Sequence, residues 1–95
     1  MIIQVIKFRS ALSEEEVRAV AEARIPQFRE IPGLVQKYYV KSDQPDHYAG
    51  IYLWDSQESA AAYRQSDLAA SIPVAYKVLG QPVIEIHEVF DKIRE

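Results

Sequence analysis

The sequence predicts a single α+β domain, residues 1–95, with the element order β-α-β-β-α-β. Three observations carry this. Four runs, at 2–9, 34–41, 47–54 and 83–90, are rich in β-branched and aromatic residues. Two capping signals, at Ser13 and at Asp55-Ser56, each open a stretch of helix formers. A Pro32-Gly33 turn and a polar loop at 42–46 punctuate the rest.

In the first strand, residues 2–9, Ile2, Gln4, Ile6 and Phe8 share one face and Ile3 and Val5 the other, so both faces are expected to be covered. Ser13 begins the first helix. Glu16 stands three residues on, as in a capping box, and Glu14, Glu15 and Glu16 suit the positive end of the helix dipole. Val17, Val20, Ala21, Ile25 and Phe28 make an apolar stripe, and Pro26 should bend or end a helix that reaches Arg29 or Glu30. Leu34 to Lys41 is the second strand, with Tyr38 and Tyr39 on opposite faces. His47 to Trp54 is the third, antiparallel to the second because the loop between them is short. Ser56 to about Gln65 is the second helix, and Ser66-Asp67 opens a further short one that breaks at Pro73 and stops at Gly80. Val83 to Phe90 is the last strand, followed by a charged tail. The order is the split βαβ, or ferredoxin-like, arrangement: a four-stranded antiparallel sheet with helices on one face.

Composition narrows the function. The net charge of -3 gives no basic surface for nucleic acid. There is no cysteine, hence no disulfide or thiolate chemistry, and two histidines do not make a metal site. No apolar run approaches the ~20 residues of a membrane span and no leader pattern precedes the first strand, so cytoplasmic residence is expected. A 95-residue chain buries only about 60–65% of its unfolded surface. Its 48% hydrophobic content therefore points to a homodimer that pairs the free sheet faces into a closed barrel.

The segments Pro32-Gly33, Lys37, Ser42, Gly50-Ile51-Tyr52-Leu53, Ser59-Ala60 and Ala62-Tyr63, with the run W-D-S-Q-E-S-A-A-A-Y, resemble the dimeric α/β-barrel proteins. That group includes antibiotic-biosynthesis, quinol and haem-degrading monooxygenases and the YdhR-type proteins, which look most similar. The resemblance implies a homodimer with a pocket between sheet and helices in each protomer. Relatives oxidise aromatic or phenolic molecules with O₂, some of them without metal or flavin, which implies chemistry of that kind on an aromatic or quinol-type molecule. Haem-degrading relatives use an asparagine on the first strand, a tryptophan in the second helix and a later histidine. This chain has no asparagine, Tyr63 stands in place of that tryptophan and Pro73 in place of that histidine. Haem degradation by that set is not expected.

Candidate site residues follow. His47, at the edge of a polar loop, could act as a base near neutral pH, although an exposed histidine is the commoner reading. Tyr52 could hydrogen-bond a substrate phenol or carbonyl as a catalytic residue. Trp54, Tyr63, Tyr39 and Lys37 are candidates for substrate binding: Trp54 reads equally as a stacking wall and as a core plug, and Lys37 as an attractor of anions or a solvated charge. Gln4 is the only polar side chain on its strand face, a stand-in for the missing asparagine amide. No cofactor or metal is expected. The leading reading is a cofactor-independent monooxygenase. The alternatives are a non-catalytic binder of a hydrophobic metabolite and a proton-transfer enzyme of the muconolactone-isomerase type.

Overall fold

A computed structural model describes residues Met1–Arg94. The elements are β1 (Ile2–Ser10), α1 (Glu14–Arg29), β2 (Leu34–Lys41), β3 (His47–Trp54), α2 (Gln57–Arg64), two four-residue helices α3 (Asp67–Ala70) and α4 (Ile72–Ala75), and β4 (Val78–Glu88). The sheet order is β2-β3-β1-β4, all neighbours antiparallel. This is the ferredoxin-like order expected.

Local chemistry sets the helix boundaries. Ser13 Oγ accepts from Glu16 N–H at 3.2 Å, and Glu16 Oε1 accepts from Ser13 N–H at 2.9 Å, a complete capping box. Pro26 stays inside α1, which runs on to Arg29. Ser56 caps α2, and Ser66 caps α3. The chain breaks between α3 and α4 at Ser71, and Pro73 sits in the first turn of α4, where its missing N–H costs nothing.

The last strand differs from expectation at both ends. It starts at Val78, five positions before Val83, because Lys77 adopts φ +45° and turns the chain at once into the sheet. Gly80 (φ +72°) and Pro82, which read as a stop, lie inside the strand in a bulge: Arg9 pairs with Leu79 but Lys7 with Val83. It ends at Glu88, leaving Phe90 beyond it and almost fully exposed.

A second bulge matters more for the site. Leu34 pairs with Trp54, but Gln36 pairs with Leu53, so Val35 is extra. One inserted residue swaps the faces of everything after it. Lys37 and Tyr39, opposite Tyr52 and Gly50, therefore face the helices, and Tyr38 and Val40 face away.

The core lies between the sheet and the helices. Ile2, Ile6, Val17, Phe28, Tyr52, Trp54, Ala60, Tyr63, Ile72 and Tyr76 form one buried cluster. Trp54, at 0% exposure, stacks on Tyr52 with ring centroids 6.0 Å apart, and its Nε1–H donates to Gln4 Oε1 at 2.9 Å. Among the described residues no element covers the opposite sheet face: Ile3, Val5, Ile51 and Leu53 are half-buried, and Tyr38, Val40 and Val83 are exposed. The expectation that both faces are covered holds only for the helix side of a single chain.

Candidate active site

The helix-facing side of β2 and β3 places an unusual set of groups under α1. Lys37 sends its ammonium-bearing stem inward instead of into solvent. Its Nζ lies 3.3 Å from the Phe28 ring centroid, 4.3 Å from that of Tyr39 and 4.5 Å from that of Tyr52. Ring faces favour the charged form of an amine. Burial opposes it, the Arg24 charge opposes it further, and together they push the group down to about 6. Among the described residues no carboxylate forms an ion pair with Lys37, whereas Lys7 and Lys41 find Glu85 and Glu14.

The tyrosines around this amine are held protonated. Tyr52 and Tyr63 share a hydrogen bond, Oη to Oη, of 3.1 Å. Burial raises both above the usual tyrosine range, and Tyr63 raises Tyr52 further. Burial likewise raises Tyr39 and Tyr76. Tyr76 is placed by Ser10, which is fully buried and donates from Oγ to the Tyr76 carbonyl at 2.5 Å. The Tyr76 hydroxyl itself is buried without a well-formed hydrogen bond, beside the Tyr39 hydroxyl.

Two open clefts flank Tyr39, which sits 40% exposed on the outer strand. One, of about 120 Å³, runs between Phe8, Val17, Ala21, Tyr48 and Tyr76, with the Glu14–Lys41 pair at its mouth. The other, of about 390 Å³, is bounded by Ile25, Phe28, Arg29, Leu34, Lys37 and Tyr39. A void of about 10 Å³ behind Tyr39 joins Lys37, Tyr52 and Tyr76 and has room for no ligand. Both clefts present the ring of Tyr39 on one wall, and the Lys37 side chain lines the larger of the two.

The structure brings Lys37, Tyr39, Tyr52 and Tyr63 together, with Trp54 packed behind Tyr52 and Tyr63, and sets His47 apart. Trp54 is the core plug behind Tyr52 and reaches neither cleft. His47 begins β3 opposite Arg9, on the sheet face away from Tyr52, with Nδ1 2.8 Å from the Pro45 carbonyl. Alternation along the strand puts positions 48, 50, 52 and 54 under the helices and 47 on the other side. Two residues not singled out from the sequence belong to the cluster. Tyr76 lies in a segment read only as a helix end. Arg24 falls between Ala21 and Phe28 on the buried side of α1, a charge interrupting an apolar stripe. Its Nη2 donates to Ser71 Oγ at 2.7 Å and to the Leu68 carbonyl at 3.1 Å, and its buried Nε has no partner. No group of three or more His, Cys, Asp or Glu side chains that could hold a metal ion occurs among the described residues.

A protein-family model described as putative mono-oxygenase ydhR matches residues 2–93. The chain belongs to this ydhR family. No curated protein sequence matches it. Solved structures resemble it closely in fold. A putative antibiotic biosynthesis monooxygenase from Deinococcus radiodurans superposes with a TM-score of 0.77 at 17% identity, over 100% of this chain and 98% of that one. SnoaB, a cofactor-independent oxygenase from Streptomyces nogalater, gives 0.78 at 14% identity, over 99% and 97%. Rv0793 from Mycobacterium tuberculosis gives 0.76 at 12% identity, over 98% of each. At these identities the likeness is one of fold. The ydhR chain thus has a monooxygenase-like fold, and no helix among its described residues is long and apolar enough to cross a membrane.

Proposed function

We propose that this ydhR-family protein is a small oxygenase. It oxidises an aromatic, phenol- or quinol-type molecule held beside Tyr39, and it needs no bound cofactor. The observation that carries this reading is the aromatic wall of Phe28, Tyr39, Tyr52 and Tyr76, interrupted by protonated hydroxyls and the Lys37 amine. The cofactor-independent oxygenase among its structural neighbours supports the reaction class. The electrons come from the substrate's own anion: a reacting CH₂ carbon and O₂ give a carbonyl and water. The chain's part is to bind the ring, exclude water and donate hydrogen bonds. Tyr39 and Lys37 touch the substrate, and Tyr52 and Tyr63 form the wall behind them. His47 takes no part in this crevice.

The active unit is a homodimer joined through the uncovered sheet face, where Ile3, Val5, Ile51 and Leu53 form an apolar strip. An Ile51→Asp variant sedimenting as a monomer supports this, and one that stays dimeric removes it.

The decisive experiment is O₂ uptake by flavin-free, chelator-treated protein against a panel of anthrones and naphthols, whose keto tautomers present the reacting CH₂ carbon, with ¹⁸O₂ to label the product. Turnover that stops in Tyr39→Ala while folding persists is the expected result. Tight binding without O₂ uptake makes the protein a carrier. Turnover under strict anaerobiosis makes it an isomerase. A metal requirement ends the cofactor-independent version.

A further inference from the structure

We propose that Lys37 is a nucleophilic amine that forms an imine with small aromatic aldehydes and ketones entering the cleft between Phe28 and Tyr39. This activity needs no oxygen and stands apart from the oxidation proposed above.

Lys37 Nζ sits among three ring faces, the nearest 3.3 Å away, with no carboxylate partner among the described residues. The charged and titratable groups facing it come from every packed element. Arg24 and, at the rim of the cleft, Arg29 come from α1. Tyr39 comes from β2, and Tyr52 from β3 with Tyr63 of α2 hydrogen-bonded behind it. Tyr76, beyond Tyr39, follows α4. All the tyrosines are neutral and both arginines are positive, so nothing in this shell stabilises an ammonium by charge. Burial and Arg24 hold the amine in its free-base form at neutral pH. An amine that is unprotonated at neutral pH has its lone pair free to add to a carbonyl carbon.

Access is present as well. Lys37 lines the cleft of about 390 Å³, whose other walls, Ile25, Phe28, Leu34 and Tyr39, suit an aromatic ring. In the step itself the nitrogen lone pair adds to the carbonyl carbon and the oxygen takes up a proton. The carbinolamine then loses water to leave a C=N bond. Hydrolysis reverses it. The departing oxygen takes its protons from the attacking nitrogen and from solvent in the open cleft.

The test uses the intact protein with benzaldehyde and sodium cyanoborohydride at pH 7, read by intact mass and peptide mapping. Hydride reduction fixes any imine as a benzylamine. The expected result is one benzyl group, located at Lys37. Its rate should exceed that at Lys7, Lys41 and Lys77 by at least about tenfold, because ordinary lysines are almost wholly protonated at this pH. Lys37→Met should lose that label and keep the slow background. The wild-type map alone is decisive if the variant folds poorly. Labelling confined to surface lysines or the Met1 amino group, with Lys37 untouched, overturns the proposal.

Discussion

Replacing Lys37 by methionine should make this protein more stable, and by an amount that depends on pH. In the unfolded chain Lys37 keeps its proton up to its ordinary value of 10.5, and in the folded chain it gives the proton up above about 6. Between those values the unfolded state binds more protons, so wild-type stability rises with pH. Each pH unit in that window is worth ~1.4 kcal/mol, so at pH 7 burying this amine costs about 4–5 kcal/mol. Repacking a different side chain among the three rings gives back about 2 kcal/mol of this. Methionine fills the same space and keeps favourable contacts with the rings. Lys37→Met should therefore gain ~2–3 kcal/mol at pH 7. The gain should shrink steadily up to about pH 10.5 and then level off, because the tyrosines are common to both proteins and cancel from the difference. Urea unfolding of both proteins at pH 6.5, 7.5 and 8.5, at one protein concentration, measures this. A difference that does not change with pH, or a variant less stable throughout, refutes the reasoning. Either would mean that Lys37 is charged and satisfied in the fold.

Three further outcomes follow from the packing. Gly33 adopts φ +81°, and a Cβ there would lie 2.1 Å from Ser59 Oγ and 2.7 Å from Asp55 Oδ1, so Gly33→Ala should cost about 2–4 kcal/mol, seen as a large drop in Tm. The buried Gln4–Trp54 hydrogen bond should show ~1–2 kcal/mol of coupling in a double-mutant cycle of Gln4→Leu and Trp54→Phe by urea melts, and strict additivity would mean the two do not act as a pair. Ser13→Ala removes one half of the capping box and should lose about 1 kcal/mol in the same measurement, with the start of α1 fraying in hydrogen exchange.

Much of the architecture was legible because local and global signals agree. The Ser13–Glu16 pair, the apolar stripe of α1 and the alternation of β3 each point to the element that forms. The site was legible only in part. Lys37, Tyr39, Tyr52 and Tyr63 converge, but their convergence depends on Val35, a bulge that no periodicity announces. Without that one extra residue, Gln36 and Tyr38 would face the helices and Lys37 would be an ordinary surface lysine. His47 keeps its loop-edge position, and strand alternation aims it to the sheet face away from Tyr52. β4 was read short because Gly80 and Pro82 are strand breakers by propensity, while in the fold they occupy a bulge on an outer strand where both are tolerated. Arg24 carried a usable signal, a charge inside an apolar stripe, and Tyr76 carried none.

The two outer strands also differ as templates for unwanted growth. The backbone of β4 is interrupted by its bulge, and Pro82 has no N–H to offer, so an incoming strand cannot pair along its length. β2 runs without interruption from Gln36 to Lys41, with Tyr38 and Val40 exposed beside its free backbone groups. Under partial unfolding β2 is therefore the edge on which a foreign strand can dock. Aggregation would then propagate from one side of the sheet only, and a lysine or proline substitution at Tyr38 or Val40 would blunt it at its source.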